Sequence, residues 1–318
     1  MSAMREIVIE KNDSGQRLDR FLKKYFNKAP LSQIYKMIRK DIKVNGKRGK
    51  ENTLLSEGDI LNVYIRDELF EELREVKKVI KVTKQFKVAY EDDEMLIVSK
   101  PFGLLTHGDS REKKNHLANQ VINYLISKGD YVPGKEKTFA PSPVNRLDRN
   151  TTGLVIFGKT ADSLKKLNKM IKDREQISKY YITVVAGEMK EAIELKGKLE
   201  KDSRTNTVTV MDESSEDGKQ IETIARPLQV SKGYTLVEVE LVTGRTHQIR
   251  AHLAHHGFPL IGDTKYGRKK VNEMMKKKYG LSTQLLHSYR LVIDGKEIVG
   301  DVPPNFEKII KDIFGERK

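Results

Sequence analysis

The sequence predicts a two-part α+β protein: a small N-terminal α/β module, then a larger domain built on a mixed, largely antiparallel sheet. Three observations lead there. At 318 residues the chain is longer than the size at which single cores usually split. The stretch from residue 1 to residue 66 combines two amphipathic helical patterns with short strand patterns. From Phe86 onward, strand patterns interleave irregularly with few helical ones, which suits an α+β sheet better than a doubly wound one.

After Gly15, Leu18, Phe21, Leu22, Tyr25 and Phe26 recur at helical spacing with Lys and Arg between them, predicting an amphipathic helix. A second helix follows Pro30, with Leu31, Ile34 and Ile38 on one side and Ser32, Gln33, Lys36, Arg39 and Lys40 toward solvent. "IKVNGKR" reads as a strand turning at Asn45-Gly46, and "LLSEGDILNVYI" as a glycine-containing turn followed by a strand. Residues 67–85 are charged, lack Gly and Pro, and change sign from acidic to basic, so they read as a connector. In the domain at 86–318, strands are predicted at "FKVAYED", "MLIVSK", "GLVIFGK", "YYITVVAGE", "YTLVEVELV" and "LLHSYRLVI". Helices are predicted at "HLANQVINYLISK", "ADSLKKLNKMIKD", "HQIRAHLAHHG" and "FEKIIKDIF".

Lys plus Arg number 60 against 45 Asp plus Glu, a net charge of +15 that points to a polyanionic partner, with solubility as the plainer reading. The absence of cysteine removes disulfides, thiolate zinc sites, iron–sulfur clusters and a cysteine nucleophile. "MSAMREIVIE" has no apolar signal core, and no run approaches the roughly 18 apolar residues of a membrane span. A cytoplasmic protein is expected. No heptad or exposed apolar repeat argues against a monomer.

The tetrapeptide Arg-Leu-Asp-Arg occurs twice, starting at Arg17 and at Arg146. Asp19 falls in the first turn of the first helix, where the helix dipole and unpaired amides favour a carboxylate for purely structural reasons. Asp148 is followed by Arg149-Asn150-Thr151-Thr152-Gly153 and then the apolar run from Leu154 to Phe157, which places it in a polar loop entering a sheet. Loops held by a rigid sheet often carry catalytic groups, and Arg146 and Arg149 add phosphate-seeking charge. A structural Asx-turn is the competing reading. His247, His252, His255 and His256 lie close together and raise the question of a metal. The stretch lacks a well-placed acidic partner, and Arg245 and Arg250 would repel a cation, so helix surface and contact with the polyanionic partner are preferred and no metal is expected.

"NRLDRNTTGLVIFGKT" resembles the signature of the RluA/RluC/RluD family of RNA pseudouridine synthases. "KPFGLLTHGDS", "SKYYITVVAG" and "GRTHQIRAHLAHHGFPLIGDTKYG" match further family blocks in the family's order, so that the resemblance covers nearly all of 85–318. Through "RLDRFLKKYF", "LSQIYKMIRKDIKVNGKRG" and "SEGDILNVYI", the N-terminal module resembles the alpha-L RNA-binding domain named after a small-subunit ribosomal protein. Together with "THGDS", that domain makes the chain similar to the RluC and RluD branch, whose substrates are large-subunit ribosomal RNAs.

The resemblance implies the pseudouridine synthase fold and isomerisation of uridine to pseudouridine: the bond between ribose carbon one and uracil nitrogen one breaks, the base turns, and it rejoins through carbon five. No redox step or cofactor is implied. Asp148 would be the carboxylate at ribose carbon one; attack on the sugar, addition to the base and abstraction of a ribose proton are all open to it. Tyr181 would pack on the uracil and help remove the proton from carbon five, while Tyr180 points to the opposite face of the strand. Arg250 would pair with Asp148 and keep it charged. Ile249 would give the apolar floor. The uridine must be extruded from folded RNA, and Arg146 would fill the vacated stack and hold phosphate. Arg149, Lys100, Arg245, His247 and His107 would line the RNA path. Arg17, Arg20, Lys36, Arg39, Lys43 and Lys47 would add affinity from the N-terminal domain. The chain departs from the family at Asn145, where a His is usual, which bears on fine positioning. A noncatalytic RNA-binding or ribosome-assembly protein, or the same chemistry on transfer RNA, is the alternative reading.

Overall fold

A computed structural model describes residues 4–75, 79–202, 204–205 and 207–315. Residues 76–78 of the expected connector lie outside the described residues. The chain forms two compact units: one takes residues up to 84 with 119–142 and 158–165, the other 85–118, 143–157 and everything from 166.

The first unit holds an antiparallel sheet of β1 (Met4–Val8), β2 (Ile42–Val44), β3 (Lys47–Arg48) and β4 (Ile60–Tyr64), in the order β1-β4-β2-β3. Its helices α1 (Leu18–Tyr25) and α2 (Leu31–Lys40) lie where the apolar spacing predicts them. Phe21, Phe26, Ile34 and Ile38 are fully buried there, each burial stabilising by roughly 1.5–3 kcal/mol. The hairpin between β2 and β3 turns at Asn45 and Gly46, whose φ of 51° and 75° supply the double left-handed turn that strand twist favours. Phe70 and Leu73 of α3 (Asp67–Leu73) belong to the same core, so the first part of the connector is packed structure. Buried Asp13 accepts hydrogen bonds from the Lys137 and Thr138 amides at 2.6 and 2.8 Å, and from the Thr138 hydroxyl at 2.7 Å. This is why residues 119–142 group with the N-terminal segment.

The remaining elements are β5 (Lys87–Glu91), β6 (Met95–Lys100), α4 (Leu117–Lys128), β7 (Ser142–Pro143), β8 (Thr152–Gly158), α5 (Ala161–Asp173), β9 (Ile177–Ala186), β10 (Ile193–Asp202), β11 (Thr207–Met211), β12 (Lys219–Ser231), β13 (Tyr234–Leu241), α6 (Gln248–His255), α7 (Lys269–Tyr279), β14 (Leu286–Ile293), β15 (Lys296–Val299) and α8 (Pro304–Phe314). The large sheet runs β11-β10-β12-β13-β9-β14-β8-β6-β5, with β15 on β14 and β7 on β8. β11, β10, β12, β13, β9 and β14 pair antiparallel in turn, as do β14 with β15 and β5 with β6, while β14 pairs with β8 in parallel. Phe306, Ile309, Ile310 and Ile313 of α8 pack with Ile182, Val184 and Leu236 of the sheet. Leu167 and Met170 of α5 pack with Leu154, Ile156 and Leu291. Among the described residues no helix is long and apolar enough to cross a membrane.

The strands β10 and β12 and the helix α7 were not legible in the apolar pattern. β10 does alternate, with Ile193, Leu195 and Leu199 against Glu and Lys, but Gly197 interrupts its apolar side; of the α7 residues only Met275 is buried.

Candidate active site

The buried strand β8 begins right after the second Arg-Leu-Asp-Arg copy, and the backbone amide of Thr151 closes a turn onto the Asp148 carbonyl at 3.1 Å. Gly153 makes the junction possible. Its φ is 114°, and a Cβ there would stand 2.1 Å from the Ser288 carbonyl oxygen, because β14 runs directly alongside.

Buried polar groups fix the loop on both sides of Asp148. The Thr106 hydroxyl donates to the Leu147 carbonyl at 3.1 Å and accepts from the Leu147 amide at 3.2 Å. The Lys100 ammonium donates to the carbonyls of Arg149 at 3.0 Å, Leu104 at 2.7 Å and Pro101 at 3.1 Å. Asn145 accepts from the Ile156 amide at 2.8 Å and donates to the Leu154 carbonyl at 3.3 Å, tying the loop to β8. The residue in the place of the family's usual histidine thus has a backbone-holding task of its own.

Asp148 receives Arg250 from α6: Nη1 donates to Oδ2 at 3.0 Å. The other edge of that guanidinium is held by Asp263, with Nε to Oδ2 at 2.7 Å and Nη2 to Oδ1 at 2.9 Å. Asp263 is fully buried and also accepts from the amides of Lys265 and Tyr266. Burial works against the Asp263 carboxylate, but Arg250 and the two amides outweigh it and hold it below the usual carboxylate range. Burial likewise works against the Arg250 cation, and Asp263 and Asp148 outweigh it. One guanidinium therefore serves two carboxylates, the inner one fixing its plane and the outer one left at 27% exposure.

Asp148 lines a cleft of about 710 Å³. Tyr181 of β9, Arg146, Arg149, Arg245, His247, His107 and Arg250 line it too. The Tyr181 side chain is buried, which pushes its phenol above the ordinary value. Tyr180 faces the other way and lies 3.7 Å under the Arg290 guanidinium. Ile249 is buried and lines a small adjoining cavity of about 50 Å³ with Asp148 and Tyr181. His247, in the left-handed conformation at the start of α6, places Nδ1 at 3.0 Å from the Tyr266 hydroxyl and Nε2 at 3.8 Å from Asp148. Burial lowers the His247 imidazole against the pull of Asp148, and lowers His107 as well.

Two expectations are corrected. Lys100 does not lie on an RNA path: it is buried beneath the Asp148 loop with its donors spent on carbonyls, and burial pulls its ammonium down to about 7 against the favourable charge of Asp148. His252 is not on the helix surface. It is buried against Thr223, and burial brings it to about 4, whereas His255 and His256 are exposed. On the N-terminal unit, Arg17, Arg20, Lys36, Arg39, Lys43 and Lys47 are all exposed, and Arg17 and Arg39 border a shallow hollow with Arg48 and Lys50.

Residues 94–255, which include Asp148, Tyr181 and Arg250, match the model of the RNA pseudouridylate synthase family. The chain is 34% identical over 85% of its length to an uncharacterized RNA pseudouridine synthase of Mycoplasma capricolum, covering 87% of that protein. The chain belongs to the RNA pseudouridylate synthase family. It is an RNA pseudouridine synthase, an isomerase. This synthase is also 31% identical over 88% of its length to the ribosomal large subunit pseudouridine synthase C of Buchnera aphidicola, covering 86% of it. Its fold matches human RNA pseudouridylate synthase domain containing 4 with a TM-score of 0.56 at 20% identity, over 70% of this chain and 91% of that one.

Proposed function

We propose that the synthase isomerises uridines of large-subunit ribosomal RNA, with Asp148 as the carboxylate that acts at the ribose. The observation that carries this reading is the Asp148–Arg250–Asp263 chain at a cleft shared with Tyr181. Cleaving the bond at ribose carbon one develops positive charge, and a carboxylate beside it is the group that meets such charge. Arg250 fixes that carboxylate, and Asp263 fixes Arg250. The Tyr181 ring, buried and protonated, offers a face for the detached uracil and a hydroxyl through which a proton can pass. Extruding the uridine costs a few kcal/mol, and the exposed Arg146, Arg149 and Arg245 supply phosphate contacts that offset it.

The relatives named as acting on the large ribosomal subunit favour that RNA over transfer RNA. The basic face at Arg17, Arg20, Lys36, Arg39, Lys43 and Lys47 forms, in this reading, an RNA-binding domain that adds salt-sensitive affinity. Carbodiimide mapping of pseudouridine after incubation with unmodified transcripts tests the substrate. The expected result is new stops in large-subunit rRNA and none in transfer RNA; the reverse pattern would move the substrate to transfer RNA.

A further inference from the structure

Lys179 precedes Tyr181 by two residues on β9, so both side chains leave the same face of the strand. Both line the cleft with Asp148. Lys179 is only 7% exposed, and among the described residues no acceptor takes a hydrogen bond or ion pair from its ammonium. Lys100 shows what a buried lysine ordinarily requires, three carbonyls around Nζ. A buried cation without a partner destabilises the fold that carries it. Burial accordingly pulls the Lys179 ammonium down to about 8, with Arg174 adding to the effect. Gly244 borders the same spot: a Cβ there would stand 3.6 Å from Nζ and meet nothing else within 4 Å. Gly244 lines the cleft together with Lys179.

We propose that Lys179 is a positioning residue that binds a backbone phosphate of the extruded target nucleotide, beside the base that packs on Tyr181. The proposal rests on the reading of the cleft as the seat of that nucleotide. An RNA brings phosphate oxygens as its anionic groups, and a recessed ammonium is reached only by backbone that enters the cleft. The exposed arginines of the rim have no such selectivity.

The test compares wild type, Lys179→Met and Lys179→Arg in the full chain on unmodified large-subunit rRNA. Melting, the salt dependence of binding and tritium release from uracil carbon five are the readouts. Lys179→Met should melt at the same or a higher temperature, since a buried unpaired charge is removed, yet bind roughly tenfold to a hundredfold more weakly. Its slope of log affinity against log salt should fall by about 0.7, the share of one phosphate on single-stranded RNA. Lys179→Arg should keep the slope. A lower melting temperature with unchanged slope and affinity would make the residue structural and overturn the proposal. Failure of the underlying reading looks different: wild type itself would release no tritium. If wild type acts on a transfer RNA transcript instead, the same three-way comparison is read on that RNA; release from neither overturns the reading and the proposal with it.

Discussion

In both copies of Arg-Leu-Asp-Arg the leucine is buried and the aspartate takes a hydrogen bond from an arginine. Around the Asp19 carboxylate the partners among the described residues are local: Arg17, two residues earlier, reaches it at 2.6 and 3.1 Å, and the Arg20 amide donates at 2.8 Å. The Arg17 side chain is 47% exposed, so this is the first turn of a surface helix holding its own carboxylate. Around Asp148 the partner comes from 102 residues away, is itself anchored by the fully buried Asp263, and opens onto a cleft. The same four residues thus give a locally paired carboxylate in the first turn of a helix in one place, and a carboxylate at a cleft in the other. What separates them is the source of the arginine and the rigidity of what stands behind it.

Changes that strike this difference rank by how much of the second environment they remove. Gly153→Ala should be the most severe, because its Cβ collides with backbone of β14; a loss above about 4 kcal/mol, read by denaturant unfolding, is expected. Next comes Asp263→Asn, which leaves the buried Arg250 with half its partners and should cost about 3–5 kcal/mol while lowering activity. It should also change the acid limb of stability. The folded Asp263 carboxyl lies below its unfolded value, so its contribution is complete above about pH 4 and is lost as pH falls through the lowered value. The Asn variant should lack that loss below about pH 4, as followed by melting. Thr106→Val unfastens Leu147 and should reduce kcat on the order of 100-fold with little change in RNA affinity. Arg17→Ala, which breaks the exposed pair of the first copy, should change stability by less than about 1 kcal/mol and leave kcat unaltered.

Where the sequence was a sufficient guide, the signal was local. The spacing of Leu18, Phe21, Leu22 and Tyr25 led to α1, Asn45-Gly46 to the hairpin, and the apolar run after Gly153 to β8. The ordered family blocks brought Asp148, Tyr181 and Arg250 to one cleft. Long-range roles were not visible. Asp263 in "LIGDTKYG" reads as a turn residue until Arg250 is seen against it, and nothing in "SKPFG" says that the lysine turns inward to hold the Arg149 carbonyl. Lys179 was hidden for the same reason: a lysine beside two tyrosines in a strand looks solvated until its burial is known.

Tritium release from unmodified large-subunit rRNA labelled at uracil carbon five, with wild type, Asp148→Ala and Asp19→Ala side by side, tests the central claim most directly. The account predicts release by wild type and by Asp19→Ala at similar rates, and a fall of at least about 10⁴-fold for a folded Asp148→Ala. Release retained by Asp148→Ala, or lost in Asp19→Ala alone, would contradict it.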